Sequence, residues 1–372
     1  DVADVDADGD LDVAVSNSDI SETQVYLNDG AGALSLWGAR SVAPSYNEAM
    51  VFADVDADGR DDLGLSTGIG GGPSGSDGAV IFFRNLGGIG AGWLGFDTNY
   101  FAPATVGNTP SFVDAGDLDG LPGDDVVVAN TFSDSLYVLL NDGVSGFLAP
   151  QVFANIFVPR AVELSDLDGD GDLDIVTTSD DPSAITTEWF VTIENLGGGA
   201  FGAPEFHRVG ASVIRLTIDD FDGNGFKDVA YANLHGTLPV VRNVGGAFGS
   251  VGRVPVTKRV NGGAVVDITG DALADLVFAS QEGDYLAIYP GDGSGSFATE
   301  ITYPTANAPT FVKVGDVNGD ALPDVIVKGE RLELLVNTGG GVLAAPVDLG
   351  VVPPGSIGIR THDLADMDND GD

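Results

Sequence analysis

Acidic residues recur in this chain at alternate positions of short segments. The first segment, DVDADGDLD at residues 4–12, places carboxylates at positions 1, 3, 5 and 9 (Asp4, Asp6, Asp8 and Asp12), with Gly9 at position 6. Alternate side chains of a tight turn can converge on one centre, and a hard cation needs several oxygens at once. Glycine at position 6 permits the sharp backbone bend that brings position 9 back to the others. The carbonyl of position 7 would add a neutral oxygen, by analogy with the EF-hand. The EF-hand loop, however, ends in Glu at position 12 between helices, whereas here Asp closes at position 9 and a strand follows. A large cage of carboxylates suits calcium, because magnesium prefers to keep its waters. One such segment alone reads equally well as an acidic turn.

The segment occurs eight times, exact or degraded, which favours the metal reading. The second (Asp54, Asp56, Asp58, Asp62) and fourth (Asp166, Asp168, Asp170, Asp174) copies are complete, and the fifth (Asp220, Asp222, Asn224, Asp228) has Asn at position 5. The seventh keeps Asp316, Asn318, Asp320 and Asp324, with Ala321 in the glycine position. The third (Asp117, Asp119, Asp125) has Leu121 at position 5, and the sixth (Asp267, Asp271, Asp275) has Thr269 and Ala272. Occupancy of these two is left open. An eighth begins with Asp366, Asp368 and Asp370.

Charge follows the same pattern. Acidic residues number 57 against 15 basic ones, a formal net charge of -42, and 32 of the 57 lie inside these segments. Such a surface excludes nucleic acid and makes anionic membranes poor partners. Bound divalent ions would remove only part of the charge, so a solvated acidic surface suited to a salty habitat remains compatible with the remainder. With no cysteine, disulfides, zinc thiolate sites and iron-sulfur clusters are excluded. No apolar run approaches the roughly 18 residues of a membrane span, and no leader-like segment opens the chain. The chain reads as part of a longer protein.

The elements that must hold these loops are legible in the period. The loops start 47 to 63 residues apart, a spacing that belongs to propellers and solenoids rather than to independent domains. A second marker keeps the same period: Asn28-Asp29-Gly30, Asn85-Leu86-Gly87, Asn141-Asp142-Gly143, Asn195-Leu196-Gly197, Asn243-Val244-Gly245, Gly291-Asp292-Gly293 and Asn337-Thr338-Gly339. Short β-branched and aromatic runs predict a strand before each loop (49–53, 311–315), one after it (11–15, 125–129, 324–327) and a third before the Asn-x-Gly turn (79–84, 136–140, 332–336). A fourth follows the turn, opened by Phe147, Phe201, Phe248 or Phe297. Four strands per repeat of about 50 residues predict an all-β β-propeller over residues 1–372. It would be one domain of seven antiparallel four-stranded blades, eight being the alternative, with the acidic loop between strands one and two.

The loops, the Asn-x-Gly turn and the run Phe201-Gly202-Ala203-Pro204 resemble FG-GAP or VCBS repeats, as found in the propellers of integrin α-subunits and in bacterial surface proteins. The resemblance spans essentially the whole chain. It implies calcium in the loop between the first two strands of each blade, a secreted or cell-surface location, and a role in adhesion or in binding a protein or glycan. An accessory or catalytic propeller of a secreted polysaccharide-degrading enzyme is the alternative.

Strand parity puts the acidic loops and the Asn-x-Gly turns on one face. The long connections 68–78 and 180–188 then fall on the opposite face, the expected ligand surface. Closure of a seven-bladed ring is expected through pairing of 357–362 with 11–15. His207, His235 and His362 form no recognisable nucleophile-base motif, so no enzymatic activity is expected. Trp37, Trp93 and Trp189 could stack on sugars, but read first as packing residues.

Overall fold

The computed structural model describes residues 2–9, 12–17, 22–27, 35–41, 47–68, 78–144, 146–180, 188–208, 213–233, 238–306, 308–316, 320–329 and 331–351. Among these residues the chain forms seven four-stranded sheets, each an antiparallel meander of four consecutive strands. The sheets occupy residues 2–41, 47–105, 110–154, 162–208, 213–254, 263–304 and 311–351, and are numbered one to seven below. First strands of neighbouring sheets lie together: Pro110–Gly116 packs beside both Asn47–Ala53 and Val162–Ser165, and Gly263–Val266 beside both Val213–Asp219 and Phe311–Gly315. Fourth strands therefore sit at the rim. The architecture is an all-β propeller.

Burial explains the sequence of each strand. Second strands such as Asp62–Thr67, Asp125–Asn130 and Asp275–Ser280 are covered on both faces by adjacent sheets, and they read as unbroken buried runs rather than alternations. Rim strands such as Gln151–Ala154 are only half covered and alternate. Each hydrophobic core lies between two sheets. Val51 and Phe82 meet Val126, Val128 and Leu139 between sheets two and three, and Val176 and Phe190 meet Val229 and Tyr231 between sheets four and five. Each such side chain contributes roughly 1.5–3 kcal/mol by leaving water. A polar link joins the first strands of sheets three and four: the half-buried Asp114 carboxylate accepts the Leu164 N–H of the next sheet at 2.8 Å, and desolvation pushes its pKa up to about 6.

Strand positions follow the sequence expectation within a residue or two, and Phe311–Gly315 and its partner Asp324–Lys328 lie where the periodicity places them. The fourth strands are a correction. Phe147, Phe201 and Phe297 do not open them but close the turn, bridging Asn141, Asn195 and Gly291, and the strands begin later, at Gln151, Glu205 and Ile301. Pro150 and Pro204 precede the first two of these strands, where a missing N–H interrupts the ladder. Phe248 has no such proline after it and lies within the strand Ala247–Val254. The expected pairing of 357–362 lies outside the described residues. The strand Asp12–Asn17, its intended partner, pairs with Val2–Ala3 on one side and Glu22–Leu27 on the other. The connections 69–77 and 181–187, the turn 28–30, Asn318, His235, His362 and the eighth segment (Asp366, Asp368, Asp370) also lie outside the described residues.

Candidate metal centres

Each acidic loop is first a piece of backbone architecture. The position 1 carboxylate turns inward and accepts the amides of its own loop: Asp4 takes Asp8 and Gly9, Asp54 takes Asp58 and Gly59, Asp220 takes Asn224 and Gly225, each between 2.8 and 3.1 Å. This closes the turn around the position 6 glycine, whose φ is +103° at Gly9 and +83° at Gly59. Ala272 and Ala321 adopt the same left-handed conformation at φ 67° and 63°, which costs an alanine roughly 1–2 kcal/mol. The fold thus imposes this turn even where the residue resists it.

Position 9 begins the second strand and is a staple. Asp125 accepts the Leu118 N–H of its own loop at 2.8 Å and the Asn141 N–H of the later turn at 2.6 Å. Asp174 does the same with Leu167 and Asn195, and Asp228 with Phe221 and Asn243. The turn asparagine then reaches out of its sheet. Asn85 Nδ2 donates to the Val5 carbonyl at 2.7 Å, Asn141 to Val55, Asn195 to Leu118, Asn243 to Leu167 and Asn337 to Ile268, in every case position 2 of the loop of the preceding sheet. In sheet six Gly291 replaces the asparagine, and the Phe221 carbonyl is met instead by the Gly295 N–H at 3.0 Å. Acidic loops and turns are therefore interleaved along one face.

The loops converge as follows. Asp4, Asp6 and Asp8; Asp54, Asp56 and Asp58; Asp117, Asp119 and Asp125; Asp166, Asp168 and Asp174; and Asp220, Asp222 and Asp228 each bring one ligand oxygen per residue within 4.8 Å of the others. The third loop, despite Leu121, is among them. In the first two loops the trio is positions 1, 3 and 5; Asp12 accepts the Val5 N–H of its own loop and Asp62 the Asn85 N–H of the later turn, with Asp62 Oδ2 buried without a donor. In the next three it is positions 1, 3 and 9, without Asp170 in the fourth loop. Asp267, Asp271 and Asp275 of the sixth loop form no such trio among the described residues. There Asp267 takes the amides of Gly270, Asp271 and Ala272, and Asp275 takes Ile268, Thr269 and Gly291.

Burial and like charge both weigh on carboxylates of these loops. Burial, reinforced by Asp8 and Asp4, pushes Asp6 up to about 6. Burial likewise raises Asp125, Asp174 and Asp228 to about 6 and Asp62 to about 7, with neighbouring aspartates adding to each. Asp6 is 1% exposed, and its Oδ1 has no hydrogen-bond donor; Oδ1 of Asp56 and of Asp222 are buried in the same condition. A buried oxygen without a partner is costly unless a cation or water meets it. An all-oxygen, multiply anionic cage with spare lone pairs fits a hard divalent cation.

Loop two carries an internal counter-charge. Arg84 pairs with Asp56 through Nε and Arg60 with Asp58, while the Arg84 guanidinium also lies 4.6 Å above the Phe101 ring. The Arg84 pairing was not legible from spacing, because Arg84 lies 28 residues from its partner. The asparagine clamp was legible only as a turn marker, since its acceptors are 69 to 86 residues away.

The aromatic candidates are packed. Trp37 and Trp93 lie 4.8 Å apart and Trp93 meets Phe96 edge-on, while Trp189 meets Phe206 edge-on. His207 stacks on Phe190 at 4.5 Å, and its Nε2 hydrogen-bonds Thr192 Oγ1 at 2.8 Å, with burial lowering its pKa.

The family model for the FG-GAP-like repeat matches residues 4–65, 220–277 and 267–327, each match opening on the first aspartate of a loop. The chain carries FG-GAP-like repeats. No curated protein matches the sequence. Among solved structures it is similar to BBS1N in complex with ARL6DN, in a mercury-soaked crystal (10% identity, 92% of this chain and 93% of that one, TM-score 0.60) and a lead-soaked one (10%, 88% and 87%, TM-score 0.58). It is also similar to a functionally unknown protein from Desulfotomaculum acetoxidans DSM 771 (9% identity, 91% and 96%, TM-score 0.57). At these identities the likeness concerns the fold, and it agrees with a propeller of FG-GAP-like repeats.

Proposed function

We propose that this propeller is a calcium-stabilised scaffold of an extracellular protein, presenting a surface to a protein or glycan ligand without chemistry of its own. The observation that supports the calcium reading is the set of five aspartate trios among the described residues, whose buried oxygens include several without a donor. Calcium would be held by Asp4, Asp6 and Asp8; Asp54, Asp56 and Asp58; Asp117, Asp119 and Asp125; Asp166, Asp168 and Asp174; and Asp220, Asp222 and Asp228. Its contribution is charge: it offsets the burial, reinforced by neighbouring aspartates, that raises Asp6, Asp125, Asp174 and Asp228. The loops carry the acceptors of the asparagine clamps, so the ion acts on the junctions between sheets rather than on one loop alone.

The extracellular assignment rests on the repeat type; no helix among the described residues is long and apolar enough to cross a membrane. The propeller of BBS1N was crystallised in complex with a protein, ARL6DN, and binding a macromolecule is the use of the fold proposed here. The test is removal of the ion. A chelator is expected to lower the melting temperature, each filled site adding about 2.7 kcal/mol at a hundredfold excess over its dissociation constant. Equilibrium dialysis should count several calcium ions per chain. An unchanged melt with no bound calcium would refute the reading.

A further inference from the structure

The turn between strands three and four is not the same in every sheet. In sheets three, four and six the ladder closes six residues beyond the marker, Asn141 to Phe147, Asn195 to Phe201 and Gly291 to Phe297. In sheet two it closes eleven residues on, Asn85 to Phe96, and the added chain forms a knob. The knob is tightly built. Leu86 N–H donates to the Gly95 carbonyl at 2.9 Å and Leu94 N–H to Gly87 at 2.8 Å, around a single 3-10 turn at Gly90–Gly92. Trp93 points inward, 8% exposed, donating its Nε1–H to Asn85 Oδ1 at 2.8 Å and packing on Trp37 and Phe96. Gly88 and Gly95 have φ of +115° and +79°, and a Cβ would come within 2.4 Å of the Gly92 carbonyl and 1.9 Å of the Trp37 ring. Gly90 N–H donates to the Asp6 carbonyl of loop one at 3.0 Å.

This rigid platform holds two aliphatic side chains outward: Ile89 is 70% and Leu94 69% exposed, with Leu86 beside them at 41%. Collapse inward is closed to them, because Trp93 already fills the interior place. Clustered exposed aliphatics on a fixed support mark a contact surface. Charge selects the occupant. The knob hydrogen-bonds the Asp6 carbonyl and packs beside Asp8, with Arg60, itself paired to Asp58, beside Gly87, in a chain of net charge -42. A second copy or an anionic lipid surface would be repelled, whereas a surface rich in Lys and Arg is attracted.

We infer that the Gly87–Gly95 knob is a docking anchor that inserts Ile89 and Leu94 into an apolar cleft, rimmed by basic side chains, on a partner protein. The inference deepens the ligand-binding reading above and rests on it for the partner, though not on calcium; it puts the contact on the face of the acidic loops rather than on the opposite face expected from the long connections. The probe is a fluorescent 18-residue amphipathic helix of Leu and Lys, with a Leu/Glu helix and phosphatidylcholine–phosphatidylserine (3:1) vesicles as alternatives. The full chain should bind the Leu/Lys helix, more weakly as salt rises. Ile89→Ser with Leu94→Ser should weaken binding at least about tenfold, and Val244→Ser, exposed on a more distant turn, less than about twofold. An unchanged melt of the double variant would show that the fold is kept. The inference is overturned by any of four results: no binding of the Leu/Lys helix, equal binding of the Leu/Glu helix, an indifferent double variant, or vesicle binding or self-association in its place through the same two residues. A calcium-independent melt would overturn the calcium reading and leave this one standing.

Discussion

Asn195 offers the sharpest test of how the sheets are joined. Its side chain is 1% exposed and makes three hydrogen bonds: Nδ2 to the Leu118 carbonyl of the preceding loop at 2.9 Å, Nδ2 to Leu173 at 3.1 Å, and Oδ1 from the Gly197 N–H at 3.1 Å. Asn195→Ala removes all three but keeps the backbone N–H that Asp174 accepts. Leu118 retains a second donor, Gly199 N–H at 3.2 Å, so the orphaned groups are the Leu173 carbonyl and the Gly197 amide. At 0.5–1.5 kcal/mol per bond, with a penalty for each group left dry, the expected loss is about 3 kcal/mol. Asn195→Asp should cost more, because it keeps the shape but sets an anion against two carbonyls. Asn99→Ala, which removes an exposed contact to Asp97, serves as the control and should cost under about 0.5 kcal/mol. The assay is urea unfolding followed by tryptophan fluorescence at saturating calcium. If Asn195→Ala and Asn99→Ala cost the same, the cross-sheet clamp is not what secures these junctions.

Three further outcomes are expected. Asp168→Asn should remove much of one site's calcium-dependent stabilisation in a thermal melt, whereas Asp271→Asn, in the loop without a trio, should leave the calcium response unchanged. Replacing Arg60 and Arg84 by Met should tighten calcium binding, because the ion no longer competes with two guanidiniums for Asp56 and Asp58; unchanged calorimetric titrations would count against that competition. Asp114 holds its proton up to about pH 6 when folded but releases it near 4 when unfolded, so its contribution to stability is present at low pH and lost as pH rises through 4 to 6. Asp114→Asn should therefore lose less stability than the parent chain between pH 4 and pH 7 at saturating calcium, and identical slopes would refute the assignment.

The strands and loops were legible because their signals are local. A run such as Asp324 to Val327 after an acidic turn declares a strand whatever lies across from it, and eight loops in register declare the repeat. The candidate site was legible as composition but not as division of labour. Nothing near Asp12 or Asp62 says that these carboxylates stay out of the trios while Asp125 and Asp174 both staple the turn and join one, since that depends on how closely each strand approaches its turn. Arg84 and the asparagines escaped for the same reason, their partners being fixed by tertiary packing. The knob in sheet two is visible as a glycine-rich insertion, but that Trp93 goes in and Ile89 goes out is decided by Trp37, in another sheet.

Every asparagine clamp among the described residues points the same way along the chain, from a later turn to an earlier loop, and this gives the molecule an order of assembly. As the polypeptide emerges from a ribosome, the acceptor carbonyl of each junction is already made when its donor appears. A new sheet can therefore lock onto a finished neighbour without waiting for anything downstream. Sheet six, where Gly291 supplies no side chain, is the one described step from sheet two onward at which docking relies on a backbone amide alone, and ribosome-stalled chains ending just beyond it are where a pause in protease resistance should fall.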